Sequence, residues 1–157
     1  MRLKPKDNPL ALLRLLWKAR RPSCVSDMPA VRNSFLLRPG YTAMTFFGFI
    51  VTASQEEADT MNVRLTRLKR HEMIHLRQAH NTGDSWVRFY LLYIWYYLRA
   101  LPQNRRMKNA AYLLNPFEME AYRHMDEPGY EQGEACEWRR WAAMKPSERR
   151  RLFSGER

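Results

Sequence analysis

The feature that most constrains this chain is the run His71-Glu72-Met73-Ile74-His75 inside a segment with helical periodicity. Two histidines four residues apart on a helix project from one side, about one turn apart, so their imidazoles can share one metal ion. The carboxylate next to the first histidine is then in reach of a water in the same site and suits a general base. A helical wheel sharpens the point. Met61, Leu65, Leu68, Leu76 and Ala79 fall on one apolar stripe, with Glu72 in its middle and His75 near its edge. A carboxylate placed there loses solvation at several kcal/mol unless a positive partner compensates, and a bound divalent cation is such a partner. The bland alternative is an exposed helix in which His and Glu are incidental among Arg64, Arg67, Lys69, Arg70 and Arg77. Zinc suits the ligand set, because it takes imidazole and carboxylate and needs no redox partner.

A catalytic zinc takes a third protein ligand and leaves one position open. The extension that supplies a third histidine six residues after the second requires a glycine where this chain has Gln78, and a histidine where it has Asn81. The next source of carboxylates is Asn115-Pro116-Phe117-Glu118-Met119-Glu120-Ala121-Tyr122. Asn115 as cap, Pro116 as first helical residue and Glu118 as third also make an ordinary capping box, which would leave Glu120 as the freer carboxylate. The residues alone therefore leave Glu118 and Glu120 both open as the third ligand. His124 reads as a surface histidine.

The combination of His-Glu-x-x-His with a later Glu-x-x-Ala helix resembles the gluzincin zinc peptidases. Phe117-Glu118-Met119-Glu120-Ala121 is similar to the Phe-Glu-x-x-Ala signature of membrane metallopeptidases of the CAAX-prenyl-endopeptidase type. The stretch from His71 through an aromatic helix to Tyr122 also resembles small bacterial proteins with the same pattern. The resemblance implies a zincin-like minimal core, Zn2+ held by His71, His75 and Glu118, Glu72 as general base, and hydrolysis of a peptide or protein substrate by a metal-activated water. Tyr122 stands where those peptidases often have an aspartate that orients a ligand histidine, so another hydrogen-bond partner must do that here.

The remaining organisation is that of one domain. The length of 157 residues and an apolar fraction of 45% suit a single globular core, and exclude disorder, collagen and coiled-coil classes. The expected divisions are an amphipathic helix and connector in residues 1–30, a metal-binding core in 31–126 and a basic helical tail in 127–157. The fold class read from the pattern is α+β, mostly helical with one small antiparallel hairpin. Val31–Leu37 and Tyr41–Ala53 are the expected strands, turned at Arg38-Pro39-Gly40, with Met44–Val51 the stronger and Gly48 marking a bulge or a close backbone approach. That stronger strand is also a place where an extended peptide can pair. One helix is expected from Ser54 to about His80, then helices over Trp86–Leu101, Arg105–Leu114, Pro116–Met125, Glu134–Met144 and Ser147–Phe153.

Charge and cysteine content bound the setting. The net charge is +11, concentrated in residues 1–40, 61–110 and 138–157, while residues 111–137 are acidic. That block argues against a uniformly basic nucleic-acid binder, and no recognition motif accompanies Arg105-Arg106-Lys108 or Arg149-Arg150-Arg151, which read as solvated surface. A peripheral contact with an anionic membrane remains open. Two free cysteines, Cys24 and Cys136, suit a cytoplasmic chain. The most apolar stretch, Trp86–Leu101, contains Arg88 and Arg99 and falls short of the roughly 20 residues that cross a bilayer. It reads first as a buried helix and second as an interfacial one. Two other functions therefore stand beside the peptidase: a zinc-binding protein without proteolytic activity, and a basic protein that binds nucleic acid or anionic membrane.

Overall fold

The computed structural model describes residues 9–37, 39–134 and 136–155. The described residues form eight α-helices and a three-stranded sheet: α1 (Pro9–Trp17), β1 (Ala30–Arg32), β2 (Ala43–Phe46), β3 (Phe49–Thr52), α2 (Gln55–Val63), α3 (Arg67–Asn81), α4 (Trp86–Ala100), α5 (Ala110–Leu113), α6 (Pro116–His124), α7 (Trp138–Ala142) and α8 (Pro146–Ser154). The α+β class, mostly helical with a small sheet, is what the pattern predicts.

The hairpin differs from the expected one. The chain reverses at Phe47-Gly48, inside what reads as a single strong strand, and β2 pairs antiparallel with β3. Both turn residues have positive φ, 49° and 91°, as a two-residue primed turn requires. Glycine meets that demand freely, and a Cβ on Gly48 would lie 3.3 Å from Val25. The usual Asn-Gly signature is missing, so alternation alone could not place the turn. The expected first strand shrinks to β1, which pairs parallel with β3 at the far edge. The sheet is therefore mixed, in the order β1-β3-β2, and β2 is an edge strand. Of the predicted turn at 38–40, Arg38 lies outside the described residues.

The helix expected over 54–80 is two helices. Ser54 caps α2 as predicted, its hydroxyl accepting from Glu57 N at 3.1 Å. The chain then becomes extended at Arg64, and Thr66 caps α3 by accepting from Lys69 N at 3.0 Å. Met61 and Leu65 thus leave the stripe, and Leu65 is exposed. In compensation, α3 is enclosed on nearly all sides from His71 to Leu76 by α4, α6 and β2. Even Lys69 is buried, its ammonium 2.8 Å from Asp27.

Other boundaries contract. The helix expected over 105–114 survives as α5 alone, after a 3-10 turn at Leu101–Arg105, and that over 134–144 survives as α7. The main core joins Ile50 of the sheet, Leu76 and Ala79 of α3, and Phe89, Phe117 and Trp138 from α4, α6 and α7. Phe117 is fully buried, its ring 4.9 Å from Phe89 and 4.7 Å from Trp138. Full burial of such a side chain contributes about 1.5–3 kcal/mol. It also fixes the first turn of α6, and with it the neighbouring Glu118. In the basic tail, Arg150 and Arg151 fit the surface reading better than Arg149, which has no exposed area and whose guanidinium nitrogens have no hydrogen-bond partner among the described residues.

Candidate metal centre

Adjacent turns of α3 present His71 and His75, and the first turn of α6 presents Glu118. His71 Nε2 is 3.2 Å from His75 Nε2 and 3.1 Å from Glu118 Oε2; His75 Nε2 is 3.4 Å from Glu118 Oε1. An ion bound tetrahedrally at about 2.0–2.1 Å holds its ligand atoms roughly 3.3–3.4 Å apart. The three side chains thus form a group able to hold one metal ion, and all are buried.

The electrostatics favour positive charge at this point. Burial opposes charge on His75, but Glu118, by charge and hydrogen bond, outweighs it, with further support from Glu72 and Gln78, and the pKa rises to about 9. Burial would raise the Glu118 carboxyl; His75 and His71 reverse that and hold it far below the usual carboxylate range. A field that retains a proton between these groups also favours a dication.

Glu118 does not close a capping box. Asn115 caps α6 by accepting from Phe117 N, while its amide donates to Tyr93 O at 3.0 Å. Glu118 is thereby free to face the histidines, and Tyr93 donates to its Oε1 at 2.7 Å. Burial, then Glu118 itself, push the Tyr93 pKa well up, so the hydroxyl keeps its proton.

Glu120 points elsewhere and supports the site indirectly. Its carboxylate accepts from Gln78 Nε2 at 2.8 Å, Tyr130 OH at 2.7 Å and Glu137 N at 2.8 Å. Gln78 Nε2 also donates to Phe117 O at 3.0 Å. With its amide nitrogen committed to two acceptors, Gln78 Oε1 must accept, and it takes the Nδ1–H of His75 at 2.7 Å. That bond fixes the ring and turns Nε2 toward Glu118. Gln78 is thus the partner that the absent aspartate left to be found; its signal in the sequence was only its place one turn after His75. Tyr122 instead lays its ring against His71, centroids 4.6 Å apart.

Glu72 is buried and accepts at Oε2 from the Thr45 hydroxyl on β2, at 2.6 Å. Nothing in the sequence marks Thr45. Glu72 and the three convergent side chains line one cavity of about 320 Å³, together with Tyr41, Tyr90, Tyr93, Tyr97 and Tyr112 and apolar side chains that include Leu36, Met44 and Ile94. Among the described residues no arginine or lysine lines it. Arg77 donates to Glu131 O and Arg123 faces Glu137, so neither reaches the site. His124 lies between Glu127 and Glu137, stacked on Tyr130, and takes no part.

No protein-family model matches the chain, and searches of curated proteins and of solved structures return no match.

Proposed function

We propose that this protein is a zinc-dependent peptidase. One observation carries the reading: a buried carboxylate outside the ligand set, Glu72, shares a cavity with a convergent His71, His75, Glu118 group. A structural zinc site is closed by four protein ligands, whereas three ligands beside a cavity of substrate size match a catalytic one. Bound there, zinc supplies a Lewis acid that polarises a carbonyl and acidifies water.

The chain's own residues carry the remaining tasks. Glu72 accepts a proton from the attacking water and delivers it to the leaving amine as the carbon–nitrogen bond breaks. Thr45 aims that carboxylate, and Gln78 and Tyr93 hold His75 and Glu118 in place. Burial raises the Tyr112 pKa, so that hydroxyl keeps its proton at the cavity wall, and with Tyr122 donating to it the Tyr112 O–H can donate to a carbonyl oxygen. An extended peptide has a natural place along β2. Ile50 N is bonded to Pro29 O on the β1 side, and Thr45 stands opposite Ile50, so the backbone groups of Thr45 and Ala43 face away from β3; the Thr45 carbonyl already accepts from the Tyr90 hydroxyl at 3.0 Å, which leaves Thr45 N and the Ala43 backbone as the groups a peptide would pair with.

The test is Glu72→Gln beside His75→Ala and Glu118→Ala, with elemental analysis and a quenched fluorescent peptide library. Glu72→Gln retains zinc and loses at least about 100-fold in hydrolysis, the usual contribution of a general base. His75→Ala and Glu118→Ala lose zinc. A wild-type protein that is fully loaded and cleaves no peptide refutes the peptidase reading and leaves a metal-binding protein.

A further inference from the structure

Helix α4 has two faces. One lines the core and the cavity. The other presents Val87, Leu91, Ile94, Trp95 and Leu98, each 52–64% exposed, at spacings that form a single stripe along the helix. Leu101 extends it into the following turn. The buried reading of this stretch therefore holds for the inner face only. A continuous apolar stripe on a surface marks a contact site.

The charge around the stripe identifies the occupant. Residues 85–117 contain Arg88, Arg99, Arg105, Arg106 and Lys108 and no aspartate or glutamate. All five cations are exposed. Arg99 lies over the Trp95 ring, its guanidinium carbon 5.9 Å from the centroid. An apolar stripe bearing tryptophan, in a segment whose charged residues are all cations, has the composition of a helix that lies in the plane of a membrane. At 15 residues the helix is about 22 Å long, too short to cross a hydrocarbon core of about 30 Å. No helix among the described residues is long and apolar enough to cross a membrane. A second copy of the chain fits worse, since pairing two such faces would bring their cationic flanks together.

We propose that the outer face of α4 docks the protein on an anionic membrane surface, with Leu91, Ile94, Trp95 and Leu98 entering the headgroup boundary and Arg88, Arg99, Arg105, Arg106 and Lys108 meeting lipid phosphates. Ile94 also lines the cavity, so the cavity wall is continuous with the docked face. The proposal rests on exposure and charge and is independent of peptidase activity.

The experiment is co-sedimentation of the full chain with vesicles of phosphatidylcholine, and of phosphatidylcholine and phosphatidylglycerol in equal parts. The wild type binds the mixed vesicles at least about tenfold more tightly than the neutral ones, and loses most of that preference in roughly 0.5 M salt. Leu91→Asp/Leu98→Asp weakens binding at least about tenfold, while Val63→Asp, on exposed surface of α2, binds as wild type. Leu91→Ser/Leu98→Ser gives the same loss and substitutes if the aspartate pair impairs folding by circular dichroism. The proposal is overturned if the wild type leaves mixed vesicles unbound, or if both leucine variants bind like the wild type. A wild-type dimer that the leucine variants split, without vesicle binding, would assign the face to a second copy and overturn it equally.

Discussion

Replacing Gln78 by leucine tests whether the candidate site depends on a residue that touches no metal. The substitution conserves volume and removes three hydrogen bonds: from His75 Nδ1 to Oε1, and from Nε2 to Phe117 O and to Glu120. Two of the groups left behind matter most. His75 Nδ1–H loses its acceptor in a buried setting, and Glu120 keeps only two of its three donors, Tyr130 OH and Glu137 N. A buried group stripped of its partner costs about 1–3 kcal/mol, so the two together cost roughly 2–6 kcal/mol of folding stability. The ring of His75 also gains rotational freedom. Loss of an orienting partner of this kind typically lowers metal affinity by about 10–100-fold.

Both numbers are measurable on one protein, by urea denaturation and by zinc competition against a chromophoric chelator. A charge exchange separates orientation from general damage. In Gln78→Glu/Glu120→Gln, residue 78 still accepts from His75, and residue 120 supplies an amide that can donate back to it. The double variant loses the donor to Phe117 O but regains most of the zinc affinity missing in Gln78→Leu. Gln78→Leu that folds and binds zinc as tightly as the wild type would refute the argument that this amide sets the direction of His75.

Further predictions concern separate parts of the molecule. Thr45→Val removes the hydroxyl that aims Glu72; zinc content stays at the wild-type level while peptide hydrolysis falls about 10–100-fold, read as kcat at equal metal loading. Glu118→Gln abolishes high-affinity zinc binding in the chelator assay, whereas Glu120→Gln keeps the ligands and shows its main effect as a lowered urea midpoint. Arg149→Met raises stability by about 1–3 kcal/mol in urea, because a buried cation without an acidic partner among the described residues gives way to an apolar chain of similar reach. His124 supplies a pH test. Burial opposes its charge, but Glu137 and Glu127 raise its pKa above the usual histidine value, with Arg123 also beside Glu137 and the Tyr130 ring stacked on the imidazole. Its stabilising contribution is complete below the unfolded-state pKa and is lost as pH rises through the higher folded-state value. His124→Gln is therefore less stable than the wild type in acid, and the difference shrinks as pH rises; a difference that grows with pH contradicts this.

What was legible in the sequence was local. His71 and His75 meet because four residues on a helix bring them together, and no tertiary contact needs to be known. Glu118 was open to two readings because a carboxylate three residues after Asn115 serves a cap as readily as a metal. The choice between Glu118 and Glu120 is made by Phe117 and Gln78: the ring anchors α6 in the core, and the amide engages Glu120 from α3. Neither is visible without the packing. The break between α2 and α3 did leave a sign, Thr66 three residues before Lys69, but apolar spacing continued across it and hid it. The turn at Phe47-Gly48 was hidden because a phenylalanine stood at a positive-φ position usually held by asparagine or glycine.

The parts that sequence could not place share a physical cause. Thr45 and Glu72 are 27 residues apart, on an edge strand and a buried helix, and their bond exists only because β2 lies across α3. Moving the turn to residues 47–48 is what makes β2 short, puts it at the sheet edge and brings its Thr45 to the cavity. Had the chain turned at 38–40 as predicted, residues 41–53 would form one strand, and the antiparallel pair that presents Thr45 beside Glu72 would not exist. The misplaced hairpin and the missed orienting residue are thus one omission. It follows that lengthening the 47–48 turn should disturb the aim of Glu72 before it disturbs His71, His75 and Glu118, which hang on α3 and α6. A turn insertion that lowers hydrolysis while leaving zinc affinity unchanged supports that order, and simultaneous loss of both contradicts it.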